Sequence, residues 1–368
     1  MNFSPAVAAA RHFRMAGDVA TVQPLGAGHI HDSFLVTAGP ETGPVRYVLQ
    51  RVNSAVLPDP ATVAETVARV AAHQHRVLAR AGCADAHRRA LTVVEADDGR
   101  PFHLDAEGRH WRAFLHIGGA RSHRRVESPA LAAEVARVAA RFLVEVAELP
   151  GRPPPEAIPG FRDFRARQAM LEEVAAADAR GRRAECGAEL DALRSLGFLV
   201  DELERAREAG LLPERVVHND AKADNVLVDE VTGEGLCMVD LDTVASGTVL
   251  FDVGDLVRSA TTTVAEDDAD APTVVRRDHL QAVVSAYLTT AGPLLGPGER
   301  ALLPLAGPLM TYEAALRFLA DHLAGDAYFR VARPGQNLDR ARAQLRLLHA
   351  LVDAREATAE LVAGASAE

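Results

Sequence analysis

The feature that most constrains this chain is a change in hydrophobic period part-way along it. Over residues 20–117 the apolar residues come in short β-branched runs broken by turns, and from about 128 they recur at helical spacing. The stretches "YVLQRV" (47–52) and "RHWRAFLHI" (109–117) read as strands, and "TVVEADDGRPFHL" (92–104) carries an Asp-Gly hairpin signal. One helix interrupts them, "DPATVAETVARVAAHQHRVLARAG" (59–82), which has period-3.6 apolar positions and stops at Gly82. Beyond the change, "SPALAAEVARVAARFLVEVAEL" opens a helix with Ser128 as N-cap and Pro129 at the first helical position. Further helices are expected over roughly 161–185, 190–210, 274–291, 298–324 and 337–362, and a strand–loop–strand–turn–strand unit at 215–243, with "TGEG" as its turn, breaks the helical half. The pattern predicts an α+β chain of two lobes, β-rich over 1–117 and mainly helical over 118–368, with the hinge near 115–128.

With 368 residues the chain is long enough for a core in each lobe, and a hydrophobic content of 48% argues against disorder. The formal net charge of −11 makes nucleic acid an unsuitable main partner, while leaving room for a local basic pocket that takes an anionic ligand. No apolar run approaches the length of a membrane span, and the N-terminal stretch is too short and too charged for a signal peptide. Cys83, Cys186 and Cys237 show neither paired nor metal-ligand spacing, which fits a reduced, cytoplasmic setting. The acidic, Pro-containing "VAEDDADAPT" (264–273) reads as a solvated loop.

The chemistry is concentrated in "RVVHNDAKADNVLVD" (215–229), where His218, Asp220, Lys222 and Asn225 occupy a polar loop between two apolar runs. A His-x-Asp triplet is common by chance; His-x-Asp-x-Lys-x-x-Asn is far more restrictive. Some fifteen residues on, "LCMVDLDT" ends an apolar strand in two carboxylates, Asp240 and Asp242. This is a layout for phosphoryl transfer from a nucleotide: one Asp orients and deprotonates an attacking hydroxyl, while an Asn and a second Asp hold magnesium on the phosphates. A Lys two positions past the base is placed to neutralise charge on the transferred group. Two other readings compete. A metal hydrolase built on His218, Asp220, Asp240 and Asp242 would want more imidazole ligands, and a surface turn capped by Asp and Asn explains "HND" alone but not the whole pattern.

"HNDAKADN" followed by "VDLDT" resembles the catalytic and metal loops of the aminoglycoside phosphotransferase and protein-kinase-like superfamily. Within it the sequence is most similar to the N-acetylhexosamine 1-kinase group, over nearly the whole chain. The stretches that carry this finer likeness are "GAGHIHDSFLVT" (26–37), "GTVLFDVGDLVR" (247–258) and "MTYEAALRFLADHLAGDAYF" (310–329). The resemblance implies a bilobal protein-kinase-like fold with ATP between the lobes. It implies Asp220 as general base, Asn225 and Asp240 as Mg²⁺ ligands, Asp242 as a carboxylate that either faces the metal or supports its ligands from behind, and Lys222 reaching the transferred phosphoryl. His218 and Asp252 would support the catalytic loop.

Gly26 and Gly28 offer close backbone approach to phosphate, although "LGAGHIHDSF" lacks a full Gly-rich repeat. The strand "YVLQRV" shows Gln50 and Arg51 where the usual nucleotide-binding lysine would stand, and alternation lets only one of the two point inward. Glu65 on the following helix is the candidate partner for such a cation. For the acceptor the resemblance points to His29, Arg317 and Tyr328, with Asp220 against the reacting hydroxyl; a His29/His31 metal pair is a remote alternative. Arg162 departs from the hexosamine kinases, which tend to show His there, and "GGARSHRRVES" (118–128) lacks their aromatic-polar hinge pattern. The resulting expectation is an ATP-dependent kinase acting on a small sugar, most simply at the anomeric hydroxyl. An aminoglycoside or another small alcohol is the alternative acceptor, which the acidic net charge suits if the acceptor is cationic. A non-catalytic nucleotide-binding module is the alternative of another class, disfavoured by the intact Asp220, Asn225 and Asp240.

Overall fold

The computed structural model describes residues 4–26, 30–262, 264–268 and 273–365. The N-terminal half is an antiparallel sheet in the order β1 (Val19–Pro24), β2 (Asp32–Ala38), β3 (Val45–Arg51), β6 (His110–Leu115), β4 (Val93–Val94), with the short β5 (His103–Leu104) also on β6. The first helix, α1 (Ser4–Ala10), packs with this sheet around Phe13, Val36, Tyr47, Leu49, Trp111 and Ala113. The Asp-Gly turn forms, with Gly99 at a φ of 84°. Its flanking strands do not pair with each other, as a hairpin would; both pair with β6, whose apolar edge offers the larger surface.

Helix α2 (Pro60–Arg80) starts at Asp59, whose side chain accepts the N–H of Thr62, and Pro60 takes the first helical position. Its apolar face joins the core of the helical half: Val63, Val67 and Val70 share one cluster with Val135 and Phe142 of α4 (Pro129–Val146). Gln74 and His73 fasten it further to Glu145, donating at 2.7 Å to the carboxylate and bonding the carbonyl at 2.9 Å. A single turn, α3 (Ala86–Arg89), and the two-residue β7 (Ala120–Arg121) lie between α2 and α4.

The helical half continues with α5 (Phe164–Ala177), α6 (Gly187–Ser195) and α7 (Phe198–Glu208). The last two divide the single helix expected at 190–210, because the chain turns at Leu196 and Gly197. Four short strands follow: β8 (Arg215–Val217), β9 (Val226–Asp229), β10 (Gly235–Met238) and β11 (Ala245–Gly247). β9 and β10 form the hairpin expected at "TGEG", whereas β8 pairs with β11. The remainder is α8 (Val249–Ala260), α9 (Arg277–Ala291), α10 (Pro297–Ala324), α11 (Gln336–Asp353) and α12 (Arg355–Ala365). The sequence pattern does not show α8: every residue from Val249 to Val257 is buried, so no polar face marks its period. It crosses α10 so closely that a Cβ on Gly254 would stand 2.3 Å from the Ala306 carbonyl oxygen. This contact holds α8, and the loop above it, at a fixed height over the core.

Candidate functional site

The loop between β8 and β9 has the catalytic spacing, and its backbone is fixed from below. Asn219 sits in the left-handed region, φ 63°, which a non-glycine residue adopts only when its surroundings hold it there. Asp252 of α8 does this. Its two carboxylate oxygens accept the N–H of His218 at 2.9 Å and of Asn219 at 2.8 Å. Asn219 Nδ2 donates to the Thr243 carbonyl at 3.0 Å, and Thr243 Oγ1 returns a bond to the His218 carbonyl at 2.8 Å. His218 is fully buried against Phe142, and its Nε2 bonds the Val239 carbonyl at 3.0 Å. That ring joins the β8–β9 loop to the residue just before Asp240 and faces no solvent.

Asp220 stands on this support with its side chain 23% exposed. One carboxylate oxygen takes a bond from Lys222 Nζ at 2.8 Å and another from Asn225 Nδ2 at 2.9 Å. Burial alone would raise its pKa, but Lys222, then Arg162 and His218, outweigh it and hold the carboxyl at about 2. Asp220 is therefore a carboxylate at neutral pH. Lys222 stays charged, since Asp220, Asp224 and Asp240 more than offset its desolvation. Asn225 Nδ2 also donates to the Asp220 carbonyl at 2.8 Å, so its Oδ1 is the atom left to act as a ligand.

Asp240 differs from Asp220, Asp242 and Asp252. It has a left-handed φ of 61°, and its carboxylate makes no hydrogen bond or ion pair among the described residues. Burial first, and then the charge of Asp242, push its pKa up to about 6. A partly buried carboxylate with no partner, near an amide oxygen with none, is a donor set suited to a hard divalent cation.

Of the two roles expected for Asp242, the metal-facing one does not fit, because both of its oxygens already accept bonds. Arg112 of β6 bonds both of them, through Nη1 and, at 2.9 Å, through Nη2, and His31 Nε2 lies 2.7 Å from one. Desolvation works against ionisation of Asp242, but Arg112 and His31 overcome it and keep its pKa well below the usual carboxylate range. His31 Nδ1 accepts the N–H of Asn53 at 3.1 Å, so the ring proton lies on Nε2 and is donated to Asp242. His31, Asp240 and Asp242 bring potential ligand atoms within 4.8 Å of one another, but neither ring nitrogen of His31 retains a free lone pair.

On β3 it is Gln50 that turns inward. It donates to Ser33 Oγ at 3.1 Å and accepts from Arg112 Nε at 2.9 Å. Arg51 turns outward, 42% exposed, and pairs with Asp32. Glu65 is exposed and makes no ion pair among the described residues, because the buried face of α2 is taken by Val63, Ala64, Thr66 and Val67. Neither Arg51 nor Glu65 occupies the position expected of it. Gly26 has a positive φ of 65° and no atom within 4 Å of where a Cβ would stand; Gly28 and His29 lie outside the described residues.

Arg317 of α10, on which the charge of Asp220 acts, lies under three aromatic rings, 5.3 Å from Phe161 and 5.2 Å from both Tyr328 and Phe329. Among the described residues its one ion pair, with Glu313, is 3.6 Å long, and its guanidinium makes no hydrogen bond, so its N–H groups are largely unspent. Tyr328 is 46% exposed, and its backbone N–H donates to Asp321 at 2.8 Å. Arg162 is buried between Glu313 (3.0 Å) and Asp255 (2.9 Å) and also donates to the Asn219 carbonyl, which ties the catalytic loop to α8 and α10. The sequence shows Arg162 only as a departure from a pattern, considers His31 only as half of a remote metal pair, and gives Glu313, Asp255 and Arg112 no role in the site. The available signal was an Arg in the middle of the apolar strand "HWRAFLHI".

Residues 21–288 match the model of the phosphotransferase enzyme family. The chain belongs to that family. Solved structures similar to this phosphotransferase include an aminoglycoside phosphotransferase from Alicyclobacillus acidocaldarius, at 14% identity and a TM-score of 0.56, covering 98% of this chain and 96% of that one. A spectinomycin phosphotransferase in complex with ADP and spectinomycin aligns at 11% identity and a TM-score of 0.54, over 95% and 94% of the two chains. A choline kinase from Cryptosporidium parvum aligns at 16% identity and a TM-score of 0.53, over 90% of each. At these identities what is shared is the kinase-like α+β fold. No helix among the described residues of the phosphotransferase is long and apolar enough to cross a membrane.

Proposed function

We propose that the protein is an ATP-dependent kinase of a small alcohol, with Asp220 as its base. The observation that carries this reading is the pairing of an ionised, partly exposed Asp220 on a braced loop with an unpartnered Asp240 beside it. Asn225 Oδ1 and Asp240 would hold magnesium, which when bound neutralises charge on the nucleotide phosphates. Asp220 aligns the acceptor hydroxyl and takes its proton as the oxygen attacks the γ-phosphate in line. Lys222 holds Asp220 in one rotamer and places a positive charge next to the transferred group. His218 and Asp252 act through the loop backbone.

The acceptor we favour is a neutral sugar, a hexose or N-acetylhexosamine, phosphorylated at its anomeric hydroxyl. That hydroxyl is more acidic than an ordinary alcohol and suits a carboxylate base of low pKa. Two things support this: the resemblance over 310–329, and an acceptor side where an Arg317 rich in free donors lies among Phe161, Tyr328 and Phe329. Incubation with ATP, Mg²⁺ and a panel of hexoses, N-acetylhexosamines, aminoglycosides and choline, followed by phosphorus NMR, tests the reading. A sugar 1-phosphate supports it, and turnover confined to the cationic acceptors overturns the sugar assignment. ATP binding without turnover on any acceptor would make the protein a nucleotide-binding module.

A further inference from the structure

A kinase-like site needs a cation at the nucleotide phosphates, and protein kinases supply it as a lysine on the third strand paired with a glutamate on the next helix. β3 here has no such residue: Arg51 points outward, Gln50 is neutral, and Glu65 is exposed. The neighbouring strand has one. Arg112 lies directly across from Gln50 in the β3–β6 register, with its side chain 3% exposed, and it reaches over to Asp242, two residues beyond Asp240. Three of its five N–H groups are accounted for, by Gln50 Oε1 and the two oxygens of Asp242. One N–H on each terminal nitrogen is unspent, and the charge of Asp240 also acts on the guanidinium.

A structural role explains this arrangement poorly. A buried Arg–carboxylate pair adds little net stability, because desolvation of both ions offsets their attraction. Yet three further groups aim this one: Gln50 holds Nε, His31 holds Asp242, and the Asn53 N–H fixes the His31 tautomer. The guanidinium is held rigidly, and its two free N–H groups lie on opposite edges of its plane, so each can donate a single charge-assisted hydrogen bond to a phosphate oxygen.

We propose that Arg112 is the cation that contacts the nucleotide phosphates, presented from β6 instead of β3, with Asp242 as its counter-ion and His31 as a positioning residue. The proposal rests on the reading of the protein as an ATP-dependent kinase. It also assigns the two aspartates of "VDLDT" separate tasks, Asp240 toward metal and Asp242 toward the cation.

The test is calorimetric binding of MgADP and of adenosine to the wild-type protein, to Arg112→Lys, and to the double variant Arg112→Gln/Asp242→Asn, which removes both charges of the pair together. Both variants are expected to bind adenosine as the wild type does. MgADP should weaken about 10- to 100-fold in the double variant and by a smaller factor in Arg112→Lys, because charge-assisted hydrogen bonds to phosphate are removed fully in the first and only in part in the second. The lysine variant carries the test alone if the double variant does not fold. Unchanged MgADP affinity in a folded variant, or equal weakening of both ligands, would overturn the proposal in favour of a purely structural Arg112. A wild-type protein that binds neither ligand would instead remove the kinase reading, and this proposal with it.

Discussion

Asp252 holds Asn219 in a left-handed conformation by accepting its N–H at 2.8 Å, and the other oxygen of the same carboxylate takes the N–H of His218 at 2.9 Å. One buried acid on α8 therefore sets the direction in which the next residue, Asp220, leaves the loop. Asp252→Asn turns an amide N–H₂ against one of these donors and removes the charge from both bonds. The expected result is a loss on the order of 3 kcal/mol of stability, since each bond to a charged acceptor contributes about 1.5–3 kcal/mol, together with a lower kcat. Urea unfolding and steady-state kinetics on the same preparation check both.

Arg162 is the second brace, and its loss should cost more. It neutralises Glu313 and Asp255, which are each 3% exposed, while donating to the Asn219 carbonyl. Arg162→Met leaves two carboxylates buried without that partner, and breaking a buried pair costs about 3–5 kcal/mol. Adding Glu313→Gln to Arg162→Met should recover part of the loss. Thermal melts of the single and double variants measure the coupling, and strict additivity would show that the two side chains do not interact.

Much of this was legible in the sequence and some was not. The change of period gave the two-part architecture because amphipathic helices and half-buried strands leave different spacings. It missed α8, which is buried all round, and it mistook β4 and β5 for a hairpin because a turn signal is local and strand partners are not. Asp220, Lys222 and Asn225 were readable because they share one loop. Arg112 and Asp242 are 130 residues apart and His31 and Asp242 are 211 apart, so nothing local announces that they meet. Glu65 was assigned by analogy, and it is exposed on α2 with no ion pair among the described residues, because helical spacing alone does not say which polar face meets a cation.

The N-terminal sheet carries its own pH dependence. Asp105 accepts the indole N–H of Trp111 at 2.8 Å and a bond from Arg109 Nε at 2.6 Å. Burial would raise its pKa, but Trp111 and Arg109 outweigh it and hold the folded-state value at about 2, below the roughly 3.9 of an unfolded Asp. The sign follows from the depressed value. The contribution is fully present above about pH 4 and fades as pH falls toward 2. Asp105→Asn should cost on the order of 1–2 kcal/mol at pH 6, and the gap from wild type should narrow below pH 4. Trp111 is the only tryptophan, so its fluorescence reports this region directly.

The central claim is that Asp220 is the base of a phosphoryl transfer, and Asp220→Asn tests it most directly. The amide keeps the size of the side chain and its contact with Asn225 but cannot accept the hydroxyl proton. Phosphoryl transfer to the preferred acceptor should fall by about 1000-fold, while the calorimetric affinity for MgADP stays within a few-fold of wild type. An Asp220→Asn protein that transfers phosphate within about tenfold of the wild-type rate would contradict the account.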